Sequence, residues 1–361
     1  MAYISKLNIV NFKSHQNFKK NLKNNNNIVV IGPNGSGKTN LIESLNFFSS
    51  SKSIRGEKLN KLIKLGTEGG AKVGIEISSN KNKFFLEYTL LKNDEDIIKK
   101  FRVDDKAVKN LKSKNKIIKF IWLSPPMEKI MYEGKSIKRK FIDKLIAQFD
   151  EDFNFSLNEY KKYTTERLML LKEKGDEKWL SILEKKISES IFDIFINRRI
   201  FSKKISLLSK KKLLNFRSFE IIFNNIYENY LGNKSEALQI IENTLCKNRF
   251  IDETSKRNNF GINDDDIIIK DERKKISSDY LSTGEQKAIL LSIILSNCHL
   301  YKDNNQEFIM LFDEISSHID KSNLKKFFEE IDKFETQTWY TGNDKNLFQV
   351  IENKAFFIEI T

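Results

Sequence analysis

One short run constrains this chain more than anything else in it. Gly32-Pro33-Asn34-Gly35-Ser36-Gly37-Lys38-Thr39 meets every fixed position of the phosphate-binding pattern G-x-x-x-x-G-K-[ST]. Glycine is needed there because backbone N–H groups must close around a β-phosphate, and side chains would block the wrap. Lys38 is placed to neutralise the β- and γ-phosphates, and the Thr39 hydroxyl to reach Mg²⁺. The flanks agree with that chemistry. Ile28–Ile31 reads as a short buried strand, and Leu41, Ile42, Leu45 and Phe48 recur at helical spacing. A strand, a glycine-rich loop and a helix N-terminus together make an anion site. The expected nucleotide site therefore runs from Gly32 to Asn40, with ATP and Mg²⁺ as its cofactors and Lys38 also serving catalysis.

A second element lies far downstream. Phe308-Ile309-Met310-Leu311-Phe312 ends in Asp313-Glu314, the pattern of a buried strand that delivers acids to its C-terminal edge. Asp313 is the expected second Mg²⁺ ligand beside Thr39, and Glu314 the expected general base for the attacking water. Between the two elements stands Leu281-Ser282-Thr283-Gly284-Glu285-Gln286. Two readings fit it. Ser282 could cap a helix with Glu285 as its box partner. Alternatively the run resembles the signature of ABC ATPases, in which Ser282, Gly284, Glu285 and Gln286 form a second phosphate-binding helix start. That resemblance implies an ATP-dependent homodimer, because the ABC signature meets the γ-phosphate held by the opposite subunit.

The order of elements predicts an α/β fold, an ABC-type P-loop ATPase head interrupted by a helical insertion. Strands are expected at Tyr3–Phe12, Lys72–Ile77, Phe84–Leu91 and Ile117–Leu123, the last closed by Ser124-Pro125-Pro126. From about Met127 to Leu245 proline is absent, glycine is sparse, and Leu168, Leu171, Leu180, Leu183, Ile187, Ile191 and Ile194 fall at helical spacing. Strand character returns at Asp266–Lys270, Phe308–Phe312, Thr338–Thr341 and Phe356–Ile360, with helices at Glu285–Leu295 and Leu324–Phe334. The expected division is a discontinuous head, 1–123 and 246–361, around an inserted helical domain, 124–245.

Composition narrows the class. The chain carries 39% hydrophobic and 31% charged residues, so it reads as a soluble globular protein. No stretch approaches the ~20 apolar residues of a membrane span, and Tyr3–Phe12 alternates where a signal peptide needs a continuous apolar block. The expected location is cytoplasmic, with no membrane partner. Cys246 and Cys298 make no metal spacing, and His15, His299 and His318 are scattered. The net charge of +14 points to a polyanionic partner. Only ten of the 63 basic residues are arginine, and the accompanying excess of Asn, Ile and Phe suggests that A/T-rich coding supplies part of the lysine. Basic clusters stand at Lys138-Arg139-Lys140, Lys203-Lys204 and Lys210-Lys211-Lys212; each reads either as a DNA contact or as a solvated helix face.

Several stretches together resemble the RecF family of bacterial recombination mediators, ABC ATPases without long arms. They are Leu7-Asn8-Ile9-Val10-Asn11-Phe12-Lys13-Ser14-His15, Gly37 to Glu43, Trp122-Leu123-Ser124-Pro125, Arg139-Lys140-Phe141-Ile142-Asp143, Tyr160 to Leu171, Ser282 to Ala288, and Thr341-Gly342-Asn343-Asp344. The resemblance implies a slow, DNA-stimulated, dimer-dependent ATPase. It implies sequence-independent binding to duplex DNA and to single/double-strand junctions, and cooperation with RecO and RecR in loading RecA. Lys13 stands where the family usually carries an arginine near the phosphates. Gly261-Ile262-Asn263-Asp264 replaces a usual Gly-Pro-His-Arg run, and Glu128 stands near the place of a loop glutamine. Residues 41–280 separate P-loop from signature, too few for the long coiled coil of arm-bearing relatives; Tyr160–Ile187 suits a short helical hairpin. Two other classes remain open at this stage. An ABC transporter ATPase subunit shares the three motifs but not the basic insert, and an ATPase-coupled nuclease could use Asp264-Asp265-Asp266.

Overall fold

The computed structural model describes residues 2–22, 25–48, 58–67, 69–79, 82–93, 96–108, 118–230, 232–315, 319 and 321–361. His318 and Ile117 lie outside them. The chain divides into two compact units, residues 1–128 with 283–361, and residues 129–282.

The first unit opens with β1 (Tyr3–Phe12), β2 (His15–Asn21) and β3 (Asn27–Ile31), then α1 (Lys38–Asn46). Strands β4 (Ala71–Ser79), β5 (Asn82–Lys92), β6 (Ile97–Val103), β7 (Lys106–Ala107) and β8 (Lys119–Leu123) follow. Six of these make an antiparallel sheet in the order β2-β1-β4-β5-β6-β7. The alternation legible in β1 is the reason it sits there: Ile4, Leu7, Ile9 and Phe12 are buried on one side. Beneath this sheet Phe12, Phe47, Phe48, Tyr88 and Phe101 pack edge-on or tilted, with ring centroids 5.0 to 6.5 Å apart.

The second unit holds α2 (Lys135–Phe149), α3 (Glu151–Lys172), α4 (Glu177–Lys212), β9 (Phe219–Asn224), α5 (Lys234–Lys247), α6 (Arg249–Ser255) and β10 (Asp266–Asp271). Helices α3 and α4 form the expected hairpin. Each starts at an aspartate cap: Asp150 accepts from the Asp152 N–H, and Asp176 from the Trp179 N–H, both at 2.9 Å. The insertion, read from its spacing as helical, also contains a strand at Phe219–Asn224. The strand pairs antiparallel with β10, so Asp266–Asp271 belongs to this unit and the unit closes at Ser282 rather than at Leu245.

Two buried arginines account for that reach. Arg167 donates to Glu184 (3.0 Å), Asp252 (2.6 Å) and the Leu245 carbonyl (2.8 Å). Arg198 grips Asp143 through two bonds (2.8 and 2.7 Å) and reaches Asp265 (2.6 Å) and the Ile262 carbonyl (2.7 Å). Buried charges must be paired to be tolerated, so residues 252–265 are tied to the helices that carry the arginines. Gly261 is required here, since a Cβ would collide with the Tyr160 hydroxyl.

The chain then returns to the first unit with α7 (Thr283–Asp303), β11 (Phe308–Phe312), α8 (Lys321–Asp332), β12 (Thr338–Gly342) and β13 (Ala355–Glu359). A five-stranded sheet has the order β13-β3-β12-β11-β8, parallel throughout. Strands β11 and β12 are buried at every position, and β11 accordingly reads as a continuous apolar run rather than an alternating one. The carboxyl ends of such strands are where ligands gather. Among the described residues, no helix is long and apolar enough to cross a membrane.

Candidate functional site

The site assembles where β3, β11, β12 and β8 end side by side. The loop after β3 wraps through two left-handed glycines, Gly35 (φ +85°) and Gly37 (φ +102°), and enters α1 at Lys38. That conformation is open to glycine and strained for other residues. Gly37 is also pressed by the turn after β1, where a Cβ would strike the Ser14 hydroxyl. The same turn holds the loop from outside: the His15 Nε2 lies 3.0 Å from the Gly37 carbonyl, and Asn40 donates to Ser14 Oγ at 2.9 Å. Inside the loop, the Ser36 hydroxyl is buried and has no hydrogen-bond partner among the described residues. A buried polar atom left unmatched in a glycine-rich cradle fits a loop shaped for an oxyanion ligand.

Lys38 is nearly buried, and its ammonium donates to the carbonyls of Gly32 (2.8 Å) and Pro33 (2.7 Å). Burial holds its pKa below the usual lysine value, opposed by the carboxylates of Glu314 and Asp313. The carbonyl bonds park the cation beside the loop.

Asp313 organises the far wall. Its Oδ1 accepts from Thr39 Oγ1 at 3.0 Å and from Thr341 Oγ1 at 2.8 Å, while its N–H donates to the Leu123 carbonyl at 2.9 Å. Three strands and the P-loop helix thus meet at one residue, β8 through its backbone and the others through its carboxylate. The Thr341 hydroxyl also accepts from the Glu314 N–H at 2.8 Å, and Glu314 takes a left-handed backbone conformation (φ +50°). Such strain in a non-glycine residue persists only where the surroundings enforce it. Thr39 Oγ1 and Asp313 Oδ1 are oxygen donors of the kind Mg²⁺ prefers, two protein ligands with further positions left for phosphate and water. The residues present therefore fit Mg²⁺-ATP.

The structure thus brings Gly32, Gly35, Ser36, Gly37, Lys38, Thr39, Asp313 and Glu314 into one site. Pro33 contributes its carbonyl, and Asn34 sits exposed at the loop tip. Lys13 is directed elsewhere: its ammonium is bonded to the buried Glu43 carboxylate of α1 at 2.6 Å. Ser282 and Gly284 are exposed where α7 begins, and Gln286 is buried. A Cβ on Gly284 would meet nothing within 4 Å, so nothing in the chain itself demands glycine there. Glu128 pairs with Lys287 of α7 at 2.9 Å. Sequence reasoning missed Thr341 as a site residue and His15 as a support of the loop. Thr341 is the penultimate residue of β12, and only the parallel register of β12 with β11 puts its hydroxyl on Asp313. His15 follows directly on the Lys13-Ser14 turn, but nothing in its spacing from Gly37 announces the contact.

The acidic run offered as a second metal site is used otherwise. Asp264 accepts from the Gly261 N–H (2.6 Å), Asp265 is buried against Arg198, and Asp266 pairs with Lys135 (2.7 Å). Among the described residues no group of three His, Cys, Asp or Glu side chains is placed to hold a metal.

The fold and the site define an ATP-binding head of the ABC class. The chain belongs to the RecF/RecN/SMC N-terminal domain family, which it matches over residues 3–356. Within that family its full-length likeness is to RecF. It is 29% identical to the DNA replication and repair protein RecF of Rickettsia prowazekii (strain Madrid E) over 99% of both chains. The corresponding protein of Rickettsia typhi (strain ATCC VR-144 / Wilmington) is 28% identical, again over 99% of both. Among solved structures, the ATP complex of the recombination mediator protein RecF in the RecFOR pathway superposes with a TM-score of 0.82 at 25% identity, over 95% of this chain and 92% of that one. The Smc head domain with an extended coiled coil from Pyrococcus furiosus shares the fold at a TM-score of 0.55 and 18% identity, covering 100% and 94%.

Proposed function

We propose that this chain is an ATP-dependent DNA-binding protein of recombinational repair and replication, a RecF-type mediator whose two heads close on duplex DNA when ATP is bound. The observation that carries the reading is the convergence of Thr39 and Thr341 on Asp313 at the lip of the P-loop, with the Glu314 backbone held by the same Thr341 hydroxyl. In this reading Lys38 leaves the Gly32 and Pro33 carbonyls for the β- and γ-phosphates. Thr39 and Asp313 hold Mg²⁺, which offsets the phosphate charge. Glu314 takes the proton of the attacking water. Ser282 and Gly284, exposed at the start of α7, bind the γ-phosphate on a second copy. That role explains a glycine whose own surroundings would admit a side chain. Lys13 reaches the phosphates only by exchanging Glu43 for them.

DNA enters through the net charge of +14 and through the replication and repair role of the full-length relatives. The finer reading is that the closed dimer marks single/double-strand junctions and assists RecA loading together with RecO and RecR, and that hydrolysis releases it. Of the basic clusters, Lys203-Lys204 and Lys210-Lys211-Lys212 are exposed and suited to phosphate contacts. Lys138 and Arg139 are not, since Lys138 is buried against Asp279 and Arg139 donates to the Asp265 carbonyl at 2.9 Å.

The test is the steady-state ATPase rate per subunit against protein concentration, with and without gapped duplex DNA, alongside Glu314→Gln. The expected result is a rate that climbs with concentration and again with DNA, and a Glu314→Gln protein that binds ATP but turns over ~10²–10⁴ more slowly and accumulates as dimer. A rate indifferent to DNA would remove the DNA reading. Wild-type turnover by Glu314→Gln would take Glu314 out of the base role.

A further inference from the structure

The unit of residues 129–282 carries an open cleft of about 650 Å³ between α4 and β9, far in sequence from every nucleotide-site residue. Its helical wall is a stripe of Ile196, Arg199, Ile200, Lys203, Leu207 and Lys210, spaced by three and four residues along one face of α4. The facing strand adds Glu220 and Ile222. Large apolar side chains lie bare in the middle of the stripe: Ile200 is 49% and Leu207 44% exposed. The strand buries Phe219, Ile221 and Phe223 and is also tied to the helix by hydroxyls. Ser206 Oγ accepts from the Ile221 N–H at 3.1 Å, and Ser209 Oγ from the Phe219 N–H at 3.3 Å.

The charges around this apolar strip carry an excess of cations, although Glu220 stands on the facing strand. Arg199 is paired with Glu228 at 3.0 Å and Lys210 with Glu272 at 2.7 Å, whereas Lys203 has no ion-pair partner among the described residues. Lys204 and Lys211 stand exposed beside them. A surface built only for the phosphate backbone has no use for bare isoleucine and leucine, since phosphates are met by donors and cations. Aliphatic centres ringed by cations instead match a segment with apolar anchors and acidic flanks, the arrangement of a helix or strand laid in a groove.

We propose that the α4–β9 cleft docks a short acidic segment of a partner protein, with its large apolar side chains on Ile200 and Leu207 and its carboxylates on Lys203 and the neighbouring cations. The site is separate from the ATPase chemistry, so its occupant would be recruited whether or not ATP turns over.

The probe is a fluorescein-labelled helical peptide with Leu and Phe at i, i+3, i+4 and i+7 and Asp and Glu elsewhere, followed by anisotropy against the full chain. Its control replaces each Leu and Phe by Ser. The leucine-phenylalanine peptide should bind, and the serine control at least about tenfold more weakly. Ile200→Asp, Leu207→Asp and Lys203→Glu should each weaken the first peptide by about tenfold or more. ATP turnover and far-ultraviolet circular dichroism of Ile200→Asp and Leu207→Asp should match wild type, because both positions are exposed and outside the nucleotide site. Equal binding of both peptides, or no binding, overturns the proposal, as does an unchanged affinity in Ile200→Asp. Competition by duplex DNA that is itself lost in Ile200→Asp would assign the cleft to nucleic acid instead. Loss of self-association in that variant with peptide binding intact would assign it to a second copy of the chain.

Discussion

Asp313 Oδ1 accepts two hydroxyl bonds, from Thr39 and from Thr341, but only Thr39 lies in a recognisable motif. The Thr341 hydroxyl does double duty: it fixes the carboxylate that would meet Mg²⁺ and holds the backbone of Glu314 in its left-handed conformation. Outer partners of this kind orient a ligand without touching the ion. Thr341→Val keeps the shape and removes the hydroxyl, so Mg²⁺ dependence and turnover should worsen by ~10–100-fold. Thr341→Ser should restore both. A Mg²⁺ titration of the ATPase rate reads the difference, and wild-type behaviour in Thr341→Val would show Asp313 to be fixed by other means. His15 offers a second residue-scale test. Burial, and the nearby Lys64 charge, hold its pKa below 6.5, against the hydrogen bond to Gly37 that pulls it up. With the folded pKa depressed, the neutral ring stabilises the loop fully above pH 6.5, and that contribution is lost as pH falls through the lowered value. Nucleotide affinity of wild type should therefore be level above pH 6.5 and decline below it. His15→Asn should show a flatter acid limb, and an identical decline in both proteins would clear His15 of the effect.

At the scale of elements, the second unit depends on buried ion pairs between segments distant in sequence. Arg198 on α4 satisfies Asp143 on α2 and Asp265 beside β10, with almost no exposure. Arg198→Met leaves both carboxylates without their cation, one of them in the interior, and should destabilise this unit by about 3–5 kcal/mol. Lys203→Ala, on the exposed face of the same helix, should stay within about 0.5 kcal/mol. Urea titration followed by helical circular dichroism compares the two, and a small loss for Arg198→Met would mean that water reaches the carboxylates. These pairs also explain what could be read from the sequence and what could not. Strands β3 and β11 announce themselves because a buried parallel strand is an uninterrupted apolar run. The α3–α4 hairpin follows from helical spacing between aspartate caps. The strand β9 did carry a signal, since Phe219, Ile221 and Phe223 alternate with Glu220, Ile222 and Asn224, but Ile222 blurs the period within a strongly helical neighbourhood. The end of the insertion at Ser282 left no local mark, because it is set by contacts between segments distant in sequence, the β9–β10 pairing and the Lys138–Asp279 ion pair among them. For the same reason the P-loop and Asp313-Glu314 were legible in full, as their chemistry resides in local motifs. Thr341, placed only by strand register, was not.

For the whole molecule, charge and contact geometry lead to different expectations for two kinds of partner. The excess of 63 basic over 49 acidic residues is spread along the chain, and the described structure shows part of it already committed. Lys138, Arg167 and Arg198 are buried and paired, so they are not available to phosphates. In the proposed function DNA would meet the exposed cations, mostly lysines, which act as point charges and release counterions on contact. Each phosphate neutralised contributes about 0.9 to the slope of log affinity against log salt on duplex DNA. If Lys203, Lys204, Lys211 and Lys212 contact the duplex, replacing all four by Gln should reduce that slope by up to about four and weaken binding to every sequence alike. Anisotropy with a duplex oligonucleotide across a salt series measures it directly. Peptide binding at the α4–β9 cleft should respond differently: salt screens its carboxylates but not its apolar anchors, so its salt slope should be shallower than that of DNA, while Ile200→Asp weakens it by about tenfold or more. An unchanged DNA slope in the four-lysine variant would place the duplex on the lysines of the ATPase head, and would leave the exposed face of α4 to protein alone.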